Sequence, residues 1–389
     1  MAPPVAQIKS GARHRATSKG FRGKVALVHD WLTGEAGAEK VLLALSRIFP
    51  EAPIYTSVWD PTRTPSFVGK DIRTSFMQRW PFAKSRHQLY PWLRPLGFES
   101  FDLSSYDLVI SSSSAEAKGV LTPPRTLHLC YCHTPTRYYW SDYHAYLGRM
   151  QFGLLNPLAL RAMPYLTNYL RLWDRAASSR VDHFVANSEN VAARIRKYYG
   201  RESTVIYPPV EIQRFKVSAA RGQYFLSVGR LVPYKRVDLI IRACNERSLS
   251  LKVSGEGPEF GSLKKMAGPT VEFLGRVPEG DLPRLYAGAR AFIFASEEDF
   301  GIAPVEAMAS GVPVIAYGRG GVLESVVGGE TGLTFPEQTA ESLSETLGVF
   351  EKMKFDPKVI RNRSEHFSEE RFLTEILNLV SKLTSESRR

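Results

Sequence analysis

The chain is predicted to be an α/β protein of two doubly wound parallel sheets facing each other across a cleft. Short continuous apolar runs bounded by turn residues alternate with stretches of helical apolar spacing, which is the pattern of strands buried on both faces. The alternation runs through the first half and starts again at Tyr224, so one sheet is followed by a second. The 389 residues have ordinary globular composition, 43% apolar and 23% charged, enough for two domains of roughly 150 to 200 residues.

Residues 24–29 read as a buried strand, 34–37 as a tight loop and 38–48 as a helix, together a βα unit. Runs at 108–111, 126–130 and 183–186 supply further strands of the same sheet, and 203–209 is the natural end of that domain. The second series is a strand 224–228, a helix from about Lys235, a strand 249–254, a helix near Phe260 and a strand 291–295. A helix with Pro304 at its first position and a strand 312–317 complete it. The expected division is therefore a basic tail over 1–23, an N-terminal domain over 24–209 and a C-terminal domain over 210–365. A final helix within 366–389 is expected to pack back on the N-terminal domain. Ligands of such sheets bind beyond the carboxyl ends of the strands, so the loops there are where chemistry is sought.

The formal net charge is +12, yet Lys9, Arg13, Arg15, Lys19, Arg22 and Lys24 fall in the first 24 residues with no acid among them. Half of the excess thus belongs to a tail rich in Ala, Gly, Ser and Pro that is expected to stay disordered. With the charge in a tail and the remainder describing a cleft, nucleic acid is not the expected partner. No signal-peptide stretch and no run of eighteen uncharged apolar residues is present, so a cytoplasmic protein is expected. Three cysteines, two of them in Cys130-Tyr131-Cys132, are expected to be reduced structural thiols.

The strand ending at Val228 runs into Gly229-Arg230, and the next helix is expected to open with Lys235-Arg236. A helix N-terminus already carries partial positive charge, so clustered cations there call for an anion, and a diphosphate fits. After the strand 291–295 come Ser296, Glu297, Glu298, Asp299, Phe300 and Gly301, with Glu306 in the first turn of the following helix. Taken singly, each charge also fits a solvated surface. Carboxylates suited to sugar and ribose hydroxyls, placed beside a basic cluster on a neighbouring strand end, favour a binding site.

The run Glu298-Asp-Phe-Gly-Ile-Ala-Pro-Val-Glu306 resembles the paired-glutamate motif of the retaining glycosyltransferase family 4, which has the GT-B fold of two Rossmann-like domains. Gly229-Arg230 with Lys235, Gly255-Glu-Gly257-Pro258, Phe273-Leu-Gly275-Arg276, and Gly320-Gly321 with Glu324 occur in the order that family shows. The resemblance implies that Arg230 and Lys235 hold the donor diphosphate, Glu306 the ribose and Glu298 the transferred sugar. It places the N–H groups of Gly301, Ile302 and Ala303 toward phosphates and sugar, with Gly229, Gly255 and Phe300 also at the donor, and Arg276 and Val277 at the base. No Asp-x-Asp motif occurs, so no metal and no cofactor are expected, the basic pair taking the metal's place.

In the N-terminal half, 33–40 resembles the family's glycine-rich loop, with Gly34 and Gly37 separated where the commoner form has adjacent glycines. Ordinarily a lone histidine after a strand is structural. The family pattern includes a functional one at His133, giving it a role in positioning the donor sugar or polarising the reacting groups. The segment 77–98 interleaves Arg79, Lys84, Arg86, His87 and Arg94 with Trp80, Phe82, Tyr90 and Trp92, and 153–173 is apolar with Arg161 and Arg171. Either packing around an insertion or contact with an anionic membrane accounts for these, the latter placing a polyprenyl-diphosphate-linked saccharide as acceptor. The wording of the motifs is closest to bacterial mannosyltransferases of exopolysaccharide or O-antigen assembly, making GDP-mannose the first-choice donor. UDP-glucose, UDP-N-acetylglucosamine and dTDP-rhamnose remain open, as does a sugar-nucleotide 2-epimerase of the same architecture. A dehydrogenase is disfavoured because the glycine spacing after Gly255 departs from the dinucleotide fingerprint.

Overall fold

The computed structural model describes residues 21, 23–144, 156–218 and 222–386. The tail expected over 1–23 lies outside them apart from Phe21 and Gly23, as do the first residues of the apolar stretch 153–173. Two parallel sheets form the core of two Rossmann-like domains. The first contains β1 (Val25–His29), β2 (Ile54–Thr56), β3 (Ile72–Thr74), β4 (Leu108–Ser113), β5 (Leu127–Cys132), β6 (His183–Ala186) and β7 (Ser203–Val205). Their order is β3-β2-β1-β4-β5-β6-β7. The second contains β8 (Phe225–Val228), β9 (Leu251–Ser254), β10 (Val271–Gly275), β11 (Ala291–Phe294), β12 (Val314–Tyr317) and β13 (Gly332–Phe335), ordered β10-β9-β8-β11-β12-β13.

Strand order reverses between β1 and β4 in one sheet and between β8 and β11 in the other. Helices leave in opposite directions from each such pair, which opens a crevice at the strands' carboxyl ends. The loops after β8 and β11, where the sequence places Arg230, Lys235 and Glu298, therefore share one crevice. Central strands such as β4 and β11 are buried at every position, and their continuous apolar runs made them visible in the sequence. Strands β2, β3, β7, β10 and β13 went unpredicted, being three to five residues long and mostly at the sheet edges. Three corrections follow. The strand before His133 continues to Cys132, while β7 opens the segment 203–209 at which that domain is expected to end. The helix carrying Pro304 starts at Ile302, so the proline is its third residue. Lys235 closes a short 3-10 turn, and Arg236, at a left-handed φ of 51°, separates it from the helix Val237–Glu246.

The last helix, Glu369–Glu386, lies against the N-terminal domain. Its Phe372, Ile376 and Val380 recur every four residues on one face and join the core around Leu27, Leu129 and Tyr131. Full burial of each contributes about 1.5–3 kcal/mol. Strand-like hydrogen bonds from Val210 N–H to the Phe367 carbonyl (3.0 Å) and from Glu369 N–H to the Val210 carbonyl (3.1 Å) tie the outgoing and returning chains together at the domain junction. Cys130, Cys132 and Cys244 are buried and unbridged.

Candidate functional site

Between the domains lies a cleft of about 1470 Å³, lined from one side by Gly34, Glu39, His87, Arg94 and Tyr138 and from the other by Gly229, Arg230, Gly255, Arg276 and Val277. Its C-terminal wall is made of strand-end loops packed backbone to backbone. A Cβ on Gly255, whose φ is +142°, would lie 1.8 Å from the Gly229 carbonyl oxygen, and one on Gly257 would lie 2.2 Å from that of Leu231. Only glycine admits this approach, which explains the spacing of these residues.

Lys235 forms an ion pair with Glu298, whose same oxygen accepts from Ser296 Oγ at 3.1 Å. Burial, aided by the positive charges of Arg230 and Arg137, pushes the Lys235 ammonium down to about 8. Arg230 is exposed on the cleft wall, as is Arg276, and Val277 is half-buried beside it. Gly301, at φ +92°, stands at the N-cap of the helix Ile302–Ala309. The Ile302 side chain meets the N-terminal loop, since a Cβ on Gly37 would be 3.0 Å from Ile302 Cδ1. Thus the glycine-rich loop and the helix N-terminus come together from opposite domains. Gly34 has open space around it.

Two side chains beside these loops are held by other partners. The Phe300 ring is buried against Tyr207 and Phe367, leaving only its backbone toward a donor. Arg236 donates to Asp238 at 3.1 Å and lies outside the basic pair. Glu306 is 8% exposed and already held, accepting from Lys40 Nζ of the other domain and from the Tyr286 hydroxyl, each at 3.1 Å. Burial works against the Lys40 charge, but Glu306 and Glu279 outweigh it and raise its pKa.

Asp299 and Glu324 make contacts across the cleft that their places in the motifs do not announce. Asp299, inside the paired-glutamate run, accepts from Arg137 Nη2 and from Arg194 Nη1, both at 2.8 Å, so it clamps this loop to the N-terminal domain. Ser188 Oγ donates to its carbonyl at 2.6 Å. Glu324 accepts the N–H groups of Glu189 (2.8 Å) and Asn190 (3.1 Å), completing from the opposite domain the N-terminus of helix Glu189–Tyr199. His133 is half-buried, with Nε2 2.8 Å from Ser112 Oγ. Burial and the neighbouring His29 push its imidazole down to about 3. In the N-terminal domain, Arg94 is paired with the fully buried Glu116 at 3.3 Å, and Lys118 with the fully buried Asp174 at 2.5 Å. Among the described residues no helix is long and apolar enough to cross a membrane, and no His, Cys, Asp or Glu cluster is placed to hold a metal.

Two family models match in succession, Glycosyltransferase Family 4 over 36–214 and Glycosyl transferases group 1 over 210–367. The chain is 33% identical over 159 residues to the O-antigen chain mannosyltransferase RfbU of Salmonella typhimurium, covering 38% of this chain and 45% of that one. It is 33% identical over 173 residues to a GDP-mannose-dependent alpha-mannosyltransferase of Mycolicibacterium smegmatis, covering 41% and 46%. The chain thus spans about half the length of the curated relatives it matches. Among solved structures, Anabaena HepE in complex with UDP and glucose superposes with a TM-score of 0.68 at 18% identity, over 92% of this chain and all of that one. Sucrose-phosphate synthase from Thermosynechococcus elongatus gives 0.69 at 18%, over 94% and 100%, a likeness of fold alone. The two sheets, the motif order and the paired matches agree: this chain belongs to the glycosyl transferases of family 4, and its fold is GT-B.

Proposed function

We propose that this chain is a retaining glycosyltransferase that moves a sugar from a nucleoside diphosphate to a saccharide acceptor without a metal. The observation that carries the reading is the convergence of Arg230, Lys235, Glu298 and the N-terminus of the Ile302 helix at one switch point, beneath the Gly34–Gly37 loop. Departure of the nucleoside diphosphate builds negative charge on its β-phosphate. Two fixed cations and unpaired helix N–H groups stabilise that charge where a divalent ion would otherwise act. Glu298 then takes the hydroxyls of the transferred sugar and Glu306 those of the ribose, Lys40 and Tyr286 orienting the latter carboxylate. Val277 and Arg276 border the base.

GDP-mannose is the donor we favour, supported by the two mannosyltransferase relatives. The acceptor we favour is a saccharide on a polyprenyl diphosphate at the inner face of the cytoplasmic membrane. In support, Phe82 (71% exposed), Tyr165 (79%) and Tyr169 (61%) stand out on the N-terminal domain, in segments whose sequence also carries Lys84, Arg86, Arg161 and Arg171. A thermal-shift panel of GDP, UDP and dTDP, followed by donor hydrolysis with and without EDTA, tests the first part. Stabilisation by GDP and EDTA-resistant release of mannose are expected. No response to any nucleotide sinks the enzyme reading. Co-sedimentation with anionic vesicles at low salt tests the second, and absence of binding removes the membrane.

A further inference from the structure

Behind His133 stand buried polar residues with no role in the account above. β1 and β4 pair in register with His29 opposite Ser112, at the switch point of the N-terminal sheet. His29 Nδ1 lies 3.1 Å from the Ser112 carbonyl oxygen and 3.2 Å from its Oγ, and that Oγ lies 2.8 Å from His133 Nε2. His29 is 2% exposed and Ser112 fully buried, so water does not replace these bonds. On the far side, His29 Nε2 is 3.6 Å from Glu39 Oε1, while the other Glu39 oxygen accepts the Ala36 N–H at 2.8 Å and fixes the glycine-rich loop.

The direction of each bond follows from what each group can do. A carbonyl oxygen only accepts, so the proton of His29 sits on Nδ1. The Ser112 hydroxyl, sharing that proton as an acceptor, has one hydrogen of its own to give, and His133 Nε2 is the acceptor within reach. Nε2 is then the unprotonated nitrogen of a neutral ring, and the proton belongs on Nδ1. We propose that His29 and Ser112 are positioning residues that lock His133 in the Nδ1–H tautomer, so that its half-buried ring offers a fixed hydrogen-bond donor for a sugar oxygen and does not act as a base. This rests on the reading of the cleft as a sugar-transfer site. The depressed proton affinity of His133 agrees with a ring that stays neutral. Through Glu39, the same row joins His133 to the loop over the donor.

The test is side-chain ¹⁵N NMR of the full chain labelled in histidine, the His133 signals being identified by their loss in His133→Asn. The expected wild-type pattern is Nδ1–H. Ser112→Ala is expected to abolish that preference and to lower kcat for donor hydrolysis about tenfold, the scale of one lost hydrogen bond. Donor KM should stay within about twofold, because the contact is to the reacting sugar and not to the diphosphate. Ser112→Thr, which keeps the hydroxyl, restores both, and Ser112→Ala adds no loss in a His133→Asn background. An Nε2–H tautomer in the wild type overturns the proposal, as does unchanged kcat in Ser112→Ala. If the wild type hydrolyses no donor, the transfer reading fails while the NMR pattern still decides the tautomer.

Discussion

On the C-terminal side of the cleft, Gly255 and Gly257 press against the carbonyls of Gly229 and Leu231, and the cations Arg230 and Arg276 stand exposed on the wall. On the N-terminal side, the corresponding strand ends carry His29, Asp30 and Ser112 to Ser114, all side chains bonded to one another or to loops. Asp30 alone accepts from Ser114 N–H at 2.6 Å and Ala117 N–H at 2.8 Å. One wall is therefore shaped by backbone contact, and the other by buried side-chain networks. A backbone wall presents the same groups whatever sugar or base is bound, which suits a diphosphate common to all donors. A side-chain wall changes with single substitutions, which suits an acceptor that differs between enzymes.

If that contrast holds, breaking a network on the N-terminal wall should cost stability, and removing a cation on the other should cost activity alone. The largest effect is expected for Arg94→Met. Arg94 is 4% exposed and Glu116 is fully buried, with Tyr138 and Tyr139 hydroxyls completing the group. Burial already raises the Glu116 pKa despite Arg94. Taking away the guanidinium strands a buried carboxylate, at a cost of about 3–5 kcal/mol in unfolding free energy by urea titration. The double variant Arg94→Met/Glu116→Gln should recover much of it, and a single variant as stable as wild type would contradict the network account. Next in size, Lys235→Ala should lower transfer by roughly 10²–10³-fold, the scale of one oxyanion donor. Its thermal midpoint without nucleotide should move far less than that of Arg94→Met, because burial already works against the Lys235 charge.

The same contrast decides what could be read from the amino-acid sequence. Gly229-Arg230, Gly255-Glu-Gly257 and the nine residues from Glu298 to Glu306 are each local, because a strand end, a turn and a helix start follow one another along the chain. The loops of the C-terminal wall were legible for that reason, as was the α/β fold from its central strands. The His29–Ser112–His133 row joins residues 83 and 21 positions apart, and the Lys40–Glu306 contact spans 266. No local pattern announces such pairs. Ser112 looked like one of four consecutive serines, and Asp299 like one acid among three. The buried ring of Phe300 is a related case, since a motif gives a residue's position along the chain but not which way its ring turns.

Asp299 is the point where the two kinds of wall meet. It sits one residue after Glu298 yet bonds Arg137 and Arg194 of the other domain, so it ties the loop after β11 to the N-terminal domain. Asp299→Asn keeps the volume but loses the charge on a 17% exposed group. A partly exposed pair of this kind is worth about 1 kcal/mol or somewhat more, so kcat should fall roughly three- to tenfold with stability nearly unchanged. Small-angle scattering should show a more open pair of domains without nucleotide. An unchanged kcat would make the clamp a packing feature only.

The smallest effect expected is a pH dependence on the donor wall. Lys235 loses its proton near pH 8 in the free protein, because burial and the cations Arg230 and Arg137 disfavour the charged form. A diphosphate binds the charged form, so its contribution is complete well below that pH and declines above it. For a single group titrating at about 8, the charged fraction falls roughly fourfold between pH 7 and 8.5, and donor KM should rise by a similar factor. Lys235→Met, already weak, should show no such rise. Glu298 touches the same ammonium and opposes its loss of a proton. The position of the rise therefore measures the balance between them: near pH 8, burial and like charge dominate, whereas a midpoint above about pH 9 means that the carboxylate holds the proton in place until the donor arrives.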